Sequence, residues 1–323
     1  MNDTTINQLS LLSFIFPVYN EEDTLPHLRA ALEAWLPALG ETAVEIVLVN
    51  DGSADNSLAY LQQWAKADQR IKVVSFSRNF GHQAAVAAGL RYAKGDAVVI
   101  MDADLQDPLD VVLEMVQRYK EGYDIAYGKR TQREGETPFK LASAWLFYRI
   151  MRWSIAIDMP ADTGDFRLVS RRCVDAVNAM PERQLFLRGL FAWSGFKQVA
   201  VSYSRNARQY GETKYPLSKM LAFAWRGITS FSVMPMRMVS VLGVVSAMGG
   251  FFAALWAFGS LLLGHAVQGW TSLMCLQAFL GGIILLSLGI IGEYIGKIYE
   301  EVKARPLYIV EQCINCSLEK TLP

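Results

Sequence analysis

The sequence predicts an α/β protein: a mostly parallel sheet with helices on both faces, followed by interfacial helices and a two-helix membrane hairpin. Three observations predict it. Apolar runs of strand length alternate four times with helix-period segments in the first 130 residues. Polar residues collect at the carboxyl end of each run. Two long stretches near the C-terminus carry no charge at all.

The elements follow in order. LLSFIFPV (11–18) is a short apolar strand that ends in a turn. Leu25, Leu28, Leu32, Leu36 and Leu39 recur at spacings of three and four, which predicts one helix over 25–39 with Pro26 in its first turn. VEIVLVN (44–50) is a strand, and the turn-rich DGSADNS leads into a helix over 56–67. IKVVSFS (71–77) is a strand, 82–94 an alanine-rich helix, and AVVIM (97–101) a strand. Pro108 opens a helix that runs to about Lys120, and YDIAYG (123–128) closes the series. In open parallel sheets ligands bind beyond the carboxyl ends of the strands. Asn20, Glu21, Asp51, Arg78, Asn79, Asp102 to Asp107, Lys129 and Arg130 should therefore gather along one rim.

The uncharged stretches cover 238–263 and 273–292. Each is long enough to span about 30 Å of hydrocarbon. No Lys or Arg lies between them, whereas Arg226, Arg237, Lys297, Lys303 and Arg305 flank the pair. The positive-inside rule then puts both flanks in the cytosol and makes this a multi-pass protein of the cytoplasmic membrane. The expected organisation is a cytosolic catalytic domain over 1–215, an interfacial linker over 216–236, the hairpin over 237–295 and a cytosolic tail over 296–323. The stretches 139–153 and 217–231 mix apolar residues with Lys, Arg and Trp, as helices at the headgroup level do. The run 9–19 lacks the basic flank and cleavage site of a signal peptide and reads as the first strand.

The 31 basic and 31 acidic residues balance, so no general attraction to nucleic acid is expected. Neither GxGxxG nor GxxxxGK[ST] occurs, which argues against NAD or ATP held on a glycine loop. Of four cysteines, Cys313 and Cys316 form a C-x-x-C; with few histidines to complete a zinc site, they are expected to be free thiols.

The chemistry concentrates in DADLQDP (102–108). If extended geometry continues past the strand, Asp102, Asp104 and Gln106 project to one side. Two carboxylates and an amide oxygen form a hard, oxygen-only set suited to Mg2+ or Mn2+. An EF-hand is excluded, because Asp107 and Leu113 stand where its glycine and glutamate belong. Asp107 is expected to cap the following helix instead.

FPVYNEE (16–22), VLVNDGSADNS (47–57), SRNFGHQAA (77–85), DADLQDP (102–108), GKRxxRE (128–134) and GDFRLVSR (164–171) occur in this order. The set resembles the family 2 glycosyltransferases of GT-A fold and, more narrowly, those acting on polyprenyl phosphates. MPERQLF (180–186), ITSFSVMPMRM (228–238) and GEYIGKIYEEVKARPLYI (292–309) resemble the bactoprenol glucosyltransferase group most. The resemblance implies a UDP-sugar donor, glucose foremost, and undecaprenyl phosphate as the lipid acceptor. It also implies inversion at the anomeric carbon and a homotetramer. It places Pro17, Tyr19 and Glu21 around the base, with Asp51 hydrogen-bonded to it. It puts the metal on Asp102, Asp104 and Gln106, and makes Asp165 a base or an orienting carboxylate, offset by Arg167 or the metal. Arg130 and Arg133 are suited to charge-assisted hydrogen bonds with phosphate, and Arg208 and Lys214 are further candidates for the acceptor phosphate. Polymer synthases of the same superfamily carry QxxRW; here Gln184 and Arg188 have that spacing to within one residue, but Gly189 replaces the Trp. A non-catalytic scaffold would be expected to have lost the metal ligands, which are intact.

Overall fold

The computed structural model describes residues 7–130, 163–183, 185–204, 234–263 and 269–317. The chain forms two compact units. One contains residues 1–152, 156–216 and 304–323; the other is built on the long helices and covers 153–155 and 217–303.

The first unit holds an eight-stranded sheet. Its elements are β1 (Leu11–Val18), α1 (Leu25–Trp35), β2 (Ala43–Asn50), α2 (Ser57–Ala67), β3 (Ile71–Phe76), α3 (His82–Tyr92), β4 (Ala97–Ile100), α4 (Asp110–Lys120) and β5 (Ile125–Arg130). After them come β6 (Thr163–Ser170), α5 (Arg171–Asn178), α6 (Leu187–Trp193) and β7 (Gln198–Tyr203). The strand order is β7-β5-β6-β4-β1-β2-β3, with an eighth strand beyond β3. Strands β1 to β4 pair in parallel, as expected from the alternation. The difference lies to one side of β4, where β6 enters antiparallel between β4 and β5. The last strand of the predicted series is therefore not the neighbour of the one before it.

Period-two burial explains the layers. Leu12, Phe14 and Phe16 of β1 join Leu25, Leu28 and Leu32 of α1, Trp64 of α2 and Met115 of α4 in one core. Ile15 faces the other way, against α3. Gly89 permits that approach, since a Cβ there would lie 2.2 Å from Ile15 Cγ2. The predicted helix over 25–39 stops at Trp35 and continues as a 3-10 turn over Leu36–Leu39, because Pro37 has no N–H to extend the α ladder. Pro17 sits near the end of a central strand. The Ile15 carbonyl faces β4 and accepts from the Met101 amide at 3.1 Å. Pro17, two residues on, faces the same side beyond the last paired residue of β4, Ile100, so no ladder bond is lost.

The segment after the long helices is part of the sheet. Strand β8 (Val310–Ile314) pairs antiparallel with β3 and covers that edge. Tyr308 stacks on Phe76 with ring centroids 4.8 Å apart. Asn315, left-handed at φ 56°, donates to the carbonyls of Ala65 and Ile71, both at 2.8 Å. Replacing Asn315 by Ala should strand both carbonyls and strain the backbone. We expect a loss of about 2 kcal/mol, read as a lower thermal midpoint. Cys313 and Cys316 are joined as a disulfide, which corrects the expectation of free thiols. Cys313 lies in β8 and Cys316 in the bend that follows it, three residues on. Cys173 is the free, buried cysteine among the described residues.

The second unit contains α7 (Met234–Leu262) and α8 (Trp270–Lys303), helices of 29 and 34 residues. Both are long and apolar enough to cross a membrane. Phe251, Phe252, Leu285 and Leu286 are all more than half exposed, so these are not the buried core helices of a soluble protein.

Candidate active site

The carboxyl ends of β1, β2 and β3 are tied together first. Asn20 takes a left-handed φ of 55°. Its amide donates to Ser53 Oγ at 3.0 Å, and its side-chain oxygen accepts from the Ala54 amide at 2.8 Å. The Glu21 amide donates to Ser57 Oγ, and the Glu21 carboxylate accepts from the Thr24 hydroxyl at 2.7 Å. Tyr19, beside them, is half exposed. Asp51 is buried and turned into the loop after β3, where its two oxygens accept from the amides of Phe80 at 2.6 Å and Gly81 at 2.9 Å. Burial pushes the Asp51 carboxyl up, against the pull of those two amides. Gly52 (φ 64°) lets the loops meet, since a Cβ there would lie 2.3 Å from the Arg78 carbonyl carbon.

The carboxylates lie at the ends of β4 and β6. The β4–β6 register pairs Ile100 with Arg167. Two residues beyond that pair along each segment stand Asp102 and Asp165. His82, at the first position of α3, stands between them, with Nε2 3.2 Å from Asp165 and 3.8 Å from Asp102. From the other side Arg188 of α6 grips Asp165 with two bonds, Nε to Oδ1 at 2.7 Å and Nη2 to Oδ2 at 3.2 Å. Burial alone would raise the Asp165 pKa, but the His82 hydrogen bond and the Arg188 charge hold it far below the usual carboxylate range. His82 shifts upward: its burial opposes this, and the Asp165 hydrogen bond and Asp102 charge outweigh it.

Two expectations need correction here, and one needs refining. The strand does not continue past β4: residues 103–104 turn and Leu105 is left-handed at φ 55°. Asp104 Oδ1 accepts from the Gln106 amide at 3.2 Å within that turn. Asp107 does not cap α4, whose N-terminus has no side-chain cap; it is buried and accepts from the Tyr203 hydroxyl, to which Arg130 Nε donates at 3.5 Å. Finally, Arg167 acts on the Asp165 carboxylate through its charge. It is buried and donates to the backbone carbonyls of Asp165 and Gly164. The carboxylate's partner is Arg188. The sequence signal for Arg188 is its place as the one charge in the apolar run 185–193, where an arginine needs a carboxylate.

The rim fits a divalent cation by its chemistry. Burial raises the Asp102 carboxyl to about 6; the His82 charge opposes this, while Asp165, Asp107 and Asp104 add to it. That mutual repulsion is what a cation would relieve. Among the described residues no three His, Cys, Asp or Glu converge to hold a metal alone. A site of two carboxylates completed by water and substrate phosphate suits Mg2+ or Mn2+, which are commonly bound that way. The structure brings Tyr19, Glu21, Asp51, Asp102, Asp104, Gln106, Arg130 and Asp165 to the rim. Arg133, Arg208 and Lys214, and the two interfacial stretches, lie outside the described residues.

Comparison with known proteins gives the class of protein to which this rim and sheet belong, a glycosyltransferase. Residues 13–177 match the family model for glycosyl transferase family 2, and the chain belongs to that family. The mixed sheet with helices on both faces is its GT-A fold. The glycosyltransferase YkcC of Bacillus subtilis is 46% identical over 301 residues, 93% of each chain. The prophage bactoprenol glucosyl transferase homolog of Escherichia coli K12 is 37% identical, covering 93% of this chain and 98% of its own. The SfII prophage-derived bactoprenol glucosyl transferase of Shigella flexneri is also 37% identical, over 93% of this chain and 97% of its own.

Proposed function

We propose that this glycosyltransferase moves a single glucosyl residue from UDP-glucose to a polyprenyl phosphate at the cytosolic face of a membrane. The observation that carries this reading is the meeting of Asp102 and Asp165 through His82, where the parallel and antiparallel parts of the sheet join. The names of the Escherichia and Shigella relatives support a lipid acceptor and glucose. The exposed apolar faces of α7 and α8, with Lys and Arg at the outer flanks only, support a bilayer surface with both flanks in the cytosol.

In this reading Pro17, Tyr19 and Glu21 line the base subsite, and Asp51 fixes its wall by holding the Phe80–Gly81 amides. Asp102, Asp104 and Gln106 would hold Mg2+ or Mn2+, which supplies Lewis-acid stabilisation of the departing diphosphate. Arg130 adds charge-assisted hydrogen bonds to the same phosphates. Arg133, Arg208 and Lys214, by residue type, would supply positive charge for the acceptor phosphate. That phosphomonoester is largely ionised near pH 7, since its second pKa is about 6. It needs alignment rather than a strong base. In this reading Asp165 acts as the orienting carboxylate, holding the cationic Arg188 and His82 in place rather than collecting a proton; its bonds to both favour this role over that of a base. One in-line displacement inverts the anomeric centre and gives a β-linked product from an α-linked donor.

A screen of labelled nucleotide sugars against polyprenyl phosphate, with purified full-length protein, tests this function. UDP-glucose should give the highest turnover, with β configuration in the NMR coupling of the product. An α-linked product would contradict single displacement, and a better donor would replace glucose.

A further inference from the structure

Asp165 is fixed more completely than an ordinary rim carboxylate. Its backbone carbonyl and that of Gly164 accept from buried Arg167. Its side chain meets the Arg188 fork on one side and His82 on the other. Arg188 comes from α6, a helix anchored through Leu187, Leu190 and Phe191, which are buried. The first residue of α6 is also tied to the start of α3, where the Leu187 amide donates to Gln83 Oε1 at 3.2 Å. The start of the helix carrying Arg188 is thus tied to the start of the helix carrying His82, with Asp165 between their charged groups.

We propose that Arg188 is a positioning residue for the transfer reaction: its planar fork sets the plane of the Asp165 carboxylate, which sets His82 against Asp102. This rests on the glycosyl-transfer reading above. A guanidinium holds a carboxylate by two parallel bonds and so fixes its rotation; a lysine ammonium at the same place supplies charge without the plane. With the fork gone, Asp165 turns, His82 loses its support, and the rim carboxylates lose their alignment. Misplacement of about 1 Å at a reacting centre costs on the order of 100-fold in rate.

The test is a double-mutant cycle on the full-length protein with UDP-glucose and undecaprenyl phosphate. The variants are Arg188→Gln, Asp165→Asn, the two together, and Arg188→Lys, with thermal midpoints for all. Arg188→Gln should lower kcat by about 100-fold and leave KM for UDP-glucose within about threefold. Arg188→Lys should recover only part of that loss. The double variant should be no slower than Asp165→Asn within about threefold, since Arg188 acts through that carboxylate. Equal loss from Arg188→Gln in both backgrounds, or full rescue by lysine, would overturn the proposal. If Arg188→Gln alone fails to fold, the double variant against Asp165→Asn still decides, because neither leaves a carboxylate unpaired. Wild-type protein that makes no glycolipid overturns the functional reading itself, and the wild-type reaction alone tells the two failures apart.

Discussion

Asp104→Ala is expected to lower sugar transfer by at least about 1000-fold, roughly 4 kcal/mol of transition-state stabilisation, while the protein still folds. The loss follows from the leaving group. Breaking the anomeric bond puts negative charge on a diphosphate, and in the proposed reading the oxygens of residues 102, 104 and 106 would hold a counter-cation there. The fold should survive because Asp104 is only partly buried and its carboxylate bonds within its own turn, to the Gln106 amide. Removing it also relieves a repulsion that helps raise the Asp102 carboxyl to about 6. The thermal midpoint should therefore stay level or rise while activity vanishes, as happens where a site is built at the expense of stability. Turnover and melting measured on the same preparation check this. Near-normal turnover would remove Asp104 from any metal role.

Glu45→Ala should have the opposite profile. Glu45 is buried at the other end of the sheet, away from the rim. It pairs with Lys72 and accepts from the Ser13 hydroxyl and the amides of Lys94 and Gly95. One carboxylate thus ties β1, β2 and β3 to the turn between α3 and β4. Removing it leaves a largely buried ammonium and several donors without their partner, at about 3–5 kcal/mol. For a domain of this size that is a fall of roughly 10 °C in thermal midpoint. Burial would raise the Glu45 pKa, but Lys72, Ser13 and the Lys94 amide together lower it. A carboxyl lowered on folding stabilises above its unfolded pKa of about 4.3 and loses that contribution as pH falls through the folded value. The gap between wild type and Glu45→Gln should therefore be wide at pH 7 and narrow on acidification. A gap independent of pH would mean that the ion pair is not its source.

The strands β1 to β4 were legible because buried parallel strands read as apolar runs and their crossovers as helix periods. Asp102 was legible as a rim residue because its run of like charges follows a strand end, and the structure sets the cationic partner His82 3.8 Å from it. Strand β6 was not, for two reasons. Asp165 and Arg167 interrupt its apolar pattern, and no local signal says that a strand will insert antiparallel between two earlier ones. Strand β8 was missed because Glu311 and Gln312 make it polar and it returns to the sheet from the far side of two long apolar helices. The Arg188–Asp165 pair spans 23 residues and exists only through the β6 register, so local spacing could not reveal it.

Transfer of one sugar onto a lipid phosphate at a membrane surface is tested most directly by a mass spectrum of the organic extract, after purified protein has reacted with UDP-glucose and undecaprenyl phosphate. One hexose per lipid phosphate is predicted, absent with Asp104→Ala. Glucose released into water, or a polymer, with the lipid left unmodified, would contradict it.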